Sequence, residues 1–511
     1  MGNSTLKKAA IYTLGAFSGA ILAIGIQGLA AEKDNKKQEA IPVKSLQTMV
    51  EVYSQIKANY YEDKPDEELL ESAMKGMVAG LDPHSEYMNK KDYSDLKEST
   101  SGEFGGLGME IGAEDGFVKV VAPIEDTPAE RAGIKSGDFI AKINGVSTRG
   151  MSVSEAVKKM RGKPGTGIEL TIARKDSPKP LTFKLIRAII KVKSVRFKLL
   201  EPGYGYIRIS QFQERTVESL NEAVKKLTKE NGGDLKGLVL DLRDDPGGLL
   251  NGAVGISAAF LQPDTKIVST KGRDGKEGMS LHAKPSDYIL SGHNDPLNNL
   301  PASVKEIPLT VLINSGSASA SEIVAGALQD HKRAVIVGTQ SFGKGSVQTV
   351  LPLSNGSAVK LTTSLYYTPN DRSIQAQGIV PDVEIKDKNR TYESREADLA
   401  RHIDNPLGGE EVLGGITGED ETDKADDKKK SDSKEKGKNN QPDAKDKDKN
   451  QDEDAILARR EPNPEKDEQL KTALDLVKDP AKWKASLGLA ATKAAKDKTK
   501  KTKDKKDKDE E

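Results

Sequence analysis

The 511-residue chain has no cysteine, which excludes a thiol nucleophile. It has no H-E-x-x-H, so the common zinc-protease arrangement is absent as well. Its acidic pair Asp244 and Asp245 lies in neither D-T-G nor D-S-G, and is read as a solvated turn rather than as paired catalytic carboxylates. Only five histidines occur, none in a triad setting; His331, in Q-D-H-K-R, reads as a polar residue at a helix end. An excess of charge of either sign is also missing. The 79 Lys and Arg balance 79 Asp and Glu, so no broad polyanion-binding surface is expected and nucleic acid is not an expected partner.

What is present is concentrated between Asn314 and Gln348. Leu309 to Ile313 is an apolar run of strand length, and Glu322, Ile323, Val324, Ala327 and Leu328 then recur at helical spacing. A serine between them sits on a strand-to-helix turn, where free helical N–H groups and the positive end of the dipole favour a developing oxyanion. A plainer reading competes, because Ser319-Ala320-Ser321-Glu322 fits the S-x-x-E capping box. A strand from Ala334 to Gly338 follows, then a loop with Lys344 between Gly343 and Gly345. Flanking glycines forfeit about 0.5 to 1 kcal/mol each in a strand or helix unless backbone must approach closely. Something is therefore expected to pack tightly around Lys344. Gly338 to Lys344 also satisfies the G-x4-G-K part of a phosphate-binding loop. Two features oppose that reading: position 345 is Gly where a Ser or Thr is needed, and Ser346 to Leu353 reads as a strand rather than a phosphate-receiving helix.

S-A-S-A-S-E-I-V-A-G-A-L-Q-D (from Ser317), F-G-K-G-S-V-Q (from Phe342) and the upstream D-L-R-D-D-P-G-G-L-L (Asp241 to Leu250) together resemble the carboxyl-terminal processing peptidases, the tail-specific serine proteases of family S41. The likeness runs from about Leu46 to Ile385. It implies a ClpP or crotonase-like α/β core, with Ser319 as nucleophile, Lys344 as general base and Gln348 orienting the lysine. The implied oxyanion donors are the N–H groups of Ala320 and of a glycine in P-G-G, Gly248 being preferred to Gly247. No metal, nucleotide or other cofactor is required. A free lysine titrates near 10.4, so at pH 7 only on the order of one in a few thousand is neutral. Lowering it to about 7.5 costs the charged form about 4 kcal/mol, which burial can supply.

Taken in order, 1–31 has two lysines, no acid and then an uncharged apolar run, the layout of an export signal or an uncleaved membrane anchor. The remainder is then expected outside the inner membrane, in the periplasm or on its extracytoplasmic face. M-G-N-S-T-L is discounted as an acylation start because position 6 is Leu6. A linker and helical region, 32–102, includes helices from Leu46 to Tyr60 and from Asp66 to Leu81, then L-D-P-H-S-E-Y-M. The family resemblance implies that this region can take part in self-association. A homodimer and a helical pair packed on its own protease domain both stand.

Residues 103–188 resemble a PDZ domain of the bacterial protease kind. The Gly105-Gly106-Leu107-Gly108 turn would present N–H groups to a peptide carboxylate, while the peptide adds as a strand beside Met109 to Ile111. Leu107 and the helix Val153 to Met160 would suit an apolar C-terminal side chain. Residues 189–385 form the protease core, in which Asp241 and Arg243 are expected to pair structurally. A low-complexity segment, 386–460, is expected to be disordered on composition. A C-terminal helix lies in 461–486, and 487–511 is a charged disordered tail. The insertion separates that helix from the core and leaves its docking open.

The chain thus reads as an α/β multidomain, exported serine endopeptidase that binds substrate C-termini and cleaves through a Ser-Lys dyad. Its partners would be proteins or peptides with apolar C-termini, and an adaptor protein. The rival reading is a PDZ scaffold on an inactive protease-like core.

Overall fold

The computed structural model describes residues 42–114, 116–175, 177–388, 393–408 and 461–489. The expected export segment and the greater part of the charged insertion and tail lie outside them. The chain divides into two units after Leu70. The first holds helix α1 (Val43–Asn59) and the start of α2 (Asp66–Ala79). On α1, Leu46, Met49, Val50 and Ile56 are exposed. Among the described residues, no helix is long and apolar enough to cross a membrane.

In the second unit, α3 (Lys90–Ser101) is capped by Asn89, whose side chain accepts from the N–H groups of Lys91 and Asp92. It leads into a five-strand antiparallel path, β1 (Met109–Glu114), β2 (Phe117–Pro123), β3 (Phe139–Ile143), β4 (Gly167–Ala173) and β5 (Leu181–Ile186), in that spatial order. Alternate residues of these strands, among them Val118, Val120, Ile140, Leu170 and Ile172, point into one core. Helix α4 (Val153–Met160) closes it, started by a full capping box between Ser152 and Glu155.

The strands entering and leaving this domain pair with each other, Glu103–Gly106 against Ala188–Lys191. Gly105 and Gly106 therefore lie in a strand and not in a turn, a correction to the sequence reading. The physical reason at Gly105 is close approach, because a Cβ there would stand 2.1 Å from the Gly162 carbonyl oxygen.

The protease core is built on a six-stranded sheet in the order β6 (Val195–Glu201), β7 (Tyr204–Ile209), β8 (Gly237–Asp241), β10 (Leu309–Ile313), β11 (Val335–Gly338) and β14 (Val383–Glu384). From β7 onward every pairing is parallel, and the strands are apolar on both faces, as a sheet covered on both sides requires. Ile207, Leu238, Leu240, Val311 and Ile336 face helices α5 (Thr216–Asn231), α6 (Leu250–Phe260) and α7 (Ala320–Asp330). Tyr206, Val239, Leu312, Val335 and Val337 face the opposite way, onto Leu470, Ala473, Leu474 and Val477 of α8 (Glu468–Lys478). The C-terminal helix is docked across the insertion, followed by α9 (Pro480–Ser486).

A second sheet carries β9 (Lys266–Gly272), β12 (Ser346–Pro352) and β13 (Ala358–Tyr367), with Glu86–Met88 at one edge of β13. The expectation that 386–460 lacks structure fails for its first part. Residues 393–408 pack on the core, and Glu396 is wholly buried.

Candidate active site

Parallel strands β8 and β10 are neighbours, with Asp241 opposite Leu312. Their C-terminal ends therefore deliver two turns to one edge of the sheet, the usual place for a site in such folds. The turns are stitched together. Asn314 Nδ2 donates to Asp244 Oδ1 at 3.0 Å, the Asp244 N–H returns a bond to Asn314 Oδ1 at 3.0 Å, and Ser317 Oγ donates to the Leu242 carbonyl at 2.8 Å. The Asp245 carbonyl accepts from the Ala318 N–H at 3.0 Å and from Ser321 Oγ at 2.9 Å.

Ser319 stands at the start of α7 with φ 55° and ψ −110°, a conformation that costs a non-glycine residue on the order of 1 to 3 kcal/mol. It holds the expected N-cap position, and the Glu322 carboxylate accepts from its N–H at 2.7 Å. The P-G-G turn lies directly on this elbow, since a Cβ on Gly247 would meet Ala320 N at 2.9 Å and Ser319 Cβ at 2.9 Å. The two glycines differ. Gly247 N–H is committed to Asp245 Oδ1 at 2.9 Å, whereas the chain gives Gly248 N–H and Ala320 N–H no acceptor among the described residues.

The lysine loop follows β11, whose Gly338 pairs with Ile313 of β10. Phe342 N–H donates to the Ser317 carbonyl at 3.0 Å. Glu322 fastens the loop further. Beyond Ser319 N–H, it accepts from Ser341 Oγ at 2.6 Å, Gly343 N–H at 2.7 Å and Lys344 N–H at 2.9 Å. Burial pushes its carboxyl up to about 7 in spite of these four donors. The close packing expected around Lys344 is backbone: a Cβ on Gly345 would stand 2.3 Å from Gln375 N.

The Lys344 amine hydrogen-bonds Gln348 Oε1, and the Ser346 carbonyl lies 3.5 Å away. Burial pulls its pKa down to about 8 against the attraction of Glu396 and Glu322. Gln348 is itself held, its Nε2 donating to Ser346 Oγ at 2.9 Å and to Thr362 Oγ1 at 3.2 Å. Ser319 and the Lys344 loop are thus tied together through Glu322 and Ser317, but among the described residues no hydrogen bond joins Ser319 Oγ to the amine.

The sequence reading missed three supports. Glu322 was visible only as half of a cap, because its other donors lie 19 to 22 residues away. Asp82, in the L-D-P-H-S motif, accepts from Thr362 Oγ1 at 3.1 Å behind Gln348, and only the motif itself marked it. Asp245, expected in a solvated turn, is fully buried. The elbow covers it, and burial lifts its carboxyl to about 8 although Gly247 N–H donates to it.

Asp241 and Arg243 pair as expected, Arg243 Nη2 donating to Asp241 Oδ2 at 2.6 Å. Burial opposes the Asp241 charge, but the Arg243 and Arg208 guanidiniums hold its carboxyl well below the usual carboxylate range. Arg243 also meets Asp467 Oδ2 at 2.8 Å and Gln469 Oε1 at 2.9 Å at the start of α8.

A second concave site lies between β1 and α4, a groove of about 470 Å³ lined by Leu107, Met109, Ile111, Val153, Val157 and Met160. Gly106 and Gly108 reach it and Gly105 does not. Among the described residues β1 is the end strand of its sheet path, where a further strand can add.

Three family models match the chain: peptidase family S41 over residues 203–385, a PDZ domain over 119–174, and the activating protease CtpB N-terminal domain over 8–92. A carboxy-terminal-processing protease of Bartonella bacilliformis is 44% identical over 420 residues, covering 82% of this chain and 90% of that protein. The carboxy-terminal processing protease CtpB of Bacillus subtilis is 36% identical over 383 residues, covering 72% and 75%. Among solved structures, a photosystem II D1 C-terminal processing protease is 30% identical with a TM-score of 0.38, covering 67% of this chain and 87% of that one.

Proposed function

The chain belongs to peptidase family S41, among the carboxy-terminal-processing serine proteases that carry a PDZ domain, and on that premise we propose that it cuts peptide bonds with a Ser319–Lys344 dyad. The observation that carries this reading is the buried Lys344 amine, held by Gln348 on a loop that Glu322 fastens to the nucleophile elbow. A pKa of about 8 leaves a useful fraction of the amine neutral near pH 7 to 8.

Lys344 accepts the Ser319 hydroxyl proton as Oγ attacks the scissile carbonyl. The tetrahedral oxyanion is met by Ala320 and Gly248 N–H groups, with Gly247 turned to a supporting role by its bond to Asp245. The ammonium returns its proton to the leaving amine, and water then hydrolyses the acyl-enzyme. Since the resting amine bonds Gln348 and not Ser319, substrate binding completes the dyad. The groove beside β1 takes the substrate's C-terminus as an added strand, with Gly106, Leu107 and Gly108 at its carboxylate and an apolar side chain against Val157 and Met160.

The apolar run in 1–31 supports an extracytoplasmic setting for this activity, cleaved free of the inner membrane or anchored to it. The exposed face of α1 suits a homodimer, and an adaptor that delivers substrates fits the same scheme.

The deciding experiment incubates residues 32–511, and their Ser319→Ala and Lys344→Ala variants, with unfolded proteins ending in apolar or charged residues, without nucleotide. The expected result is cleavage by the wild type alone, faster on apolar tails. Binding of those tails without cleavage by the wild type would favour the scaffold reading.

A further inference from the structure

The buried carboxylate of Glu396 has no part in the chemistry above, although it stands on the lysine loop. It belongs to the short turn Glu396–Asp398, beyond the last strand of the core. Its own N–H donates to the Phe342 carbonyl at 3.0 Å, within the lysine loop. Its carboxylate meets His84 Nε2 at 2.8 and 2.9 Å and accepts from Gln375 Nε2 at 3.1 Å. Gln375 carries the contact onward, because its Oε1 accepts from Gly345 N–H at 3.0 Å. The same side chain donates to the Ile403 carbonyl at 2.8 Å, and Asn405 Nδ2 donates back to the Gln375 carbonyl at 2.8 Å.

Residues 396–405 therefore form a strap tied to the chain on both sides of Lys344, directly at Phe342 and through Gln375 at Gly345. His84 fixes its carboxylate from the opposite direction. That histidine comes from the L-D-P-H-S motif, whose Asp82 supports Gln348 through Thr362. The motif and the strap are 312 residues apart in sequence at the His84–Glu396 contact, yet they meet behind one lysine.

We propose that Glu396, held by His84, is a positioning residue for the reaction: its carboxylate is the countercharge that sets how tightly Lys344 keeps its proton. The inference rests on Lys344 being the general base. The charges that act on the amine are Glu396 from the strap, Glu322 from α7 and Asp82 from the motif, all favouring the ammonium, and Lys360 from β13, opposing it. A neutral residue in place of Glu396 removes one of the three attractions and frees the amine at lower pH. His84 works in the other sense, since its ring nitrogen engages both Glu396 oxygens, at 2.9 and 2.8 Å. Its loss leaves the full negative charge facing Lys344.

The test measures kcat/KM against pH for the wild type, Glu396→Gln, His84→Ala and Lys344→Ala. For Glu396→Gln the limb that reports Lys344 ionisation is expected to move to lower pH, by about half a unit or more. For His84→Ala it is expected to move upward. A purely structural role would lower the amplitude and leave the limb in place, and that result overturns the inference. If Glu396→Gln does not fold, the direction of the shift in His84→Ala decides alone: upward supports the strap, while no shift or a downward one overturns it. Cleavage retained by Lys344→Ala would overturn the dyad and the strap together. An inactive Lys344→Ala beside an unmoved limb in Glu396→Gln overturns the strap only.

Discussion

Asp245 shows how burial changes what a residue can mean. In the sequence it follows Asp244 and precedes Pro-Gly-Gly, so it reads as solvated. In the fold the elbow before α7 closes over it, and its Oδ2 is buried with no hydrogen-bond donor. The carboxyl is therefore easier to keep neutral than charged, with its pKa raised to about 8 by burial. Arg208 and Asp241 are the nearby charges, the first favouring ionisation and the second opposing it. The folded state binds a proton here that the unfolded state has released above about pH 4. This contribution to stability is fully present below that range and is lost as pH rises through about 8. Asp245→Asn is accordingly expected to match the wild type near pH 4 and to be more stable by on the order of a few kcal/mol at pH 9. Urea unfolding at both pH values checks it, and a pH-independent difference would sink the account. Ser319, Lys344 and Gln348 could be named as candidates from the sequence because they stand in the motifs S-A-S-A-S-E and F-G-K-G-S-V-Q, which carry the family resemblance. Glu322, Asp245 and Glu396 could not, because each takes its meaning from a partner that only the fold brings near.

At the scale of elements, the strands were the most readable. Leu309–Ile313 and Val335–Gly338 are short and apolar, so their pattern admits little else. The helix from Glu468 was legible as an element, but not as part of the core, because periodicity does not say which surface receives an apolar face. The receiving surface is the outer face of the parallel sheet, and Leu474 is 3% exposed there. Leu474→Ala is expected to destabilise the core by about 2–5 kcal/mol and to release amide protons of residues 468–478 to faster exchange. An unchanged urea midpoint would show that the helix is not docked in solution. The strap escaped notice for the opposite reason: the polar composition after Ile385 masks the stretch 393–408, which buries a single carboxylate rather than an apolar face.

For the whole molecule, the paired strands Glu103–Gly106 and Ala188–Lys191 are both the entrance and the exit of the PDZ-like domain. Val192 N–H donates to the Gly102 carbonyl just beyond them, and Gln213, next to the P-G-G turn's partner Phe212, reaches the Ser99 carbonyl at 3.3 Å. A domain held through a two-stranded stem and exposed ion pairs such as Arg161–Glu98 and Lys193–Glu125 can change its tilt without unfolding either side. If an occupied groove tilts it to complete the dyad, then removing residues 107–187 will uncouple turnover from the identity of the substrate's tail. Comparing kcat/KM for apolar and charged tails with and without the domain checks this. Equal turnover of an apolar-tailed substrate by both forms would count against such a switch.

The docking of α8 also sets a timetable. Thr310 Oγ1, in the middle of the core sheet, donates to the Ala473 carbonyl 163 residues later. At roughly 5 to 20 residues per second, a ribosome needs on the order of ten to thirty seconds to make the stretch between them. Throughout that interval Tyr206, Val239 and Leu312 present an uncovered apolar wall, and Arg243 waits for Asp467 and Gln469. A nascent chain of this design leaves that wall open until α8 has been made, and a copy that stops before α8 never hides it.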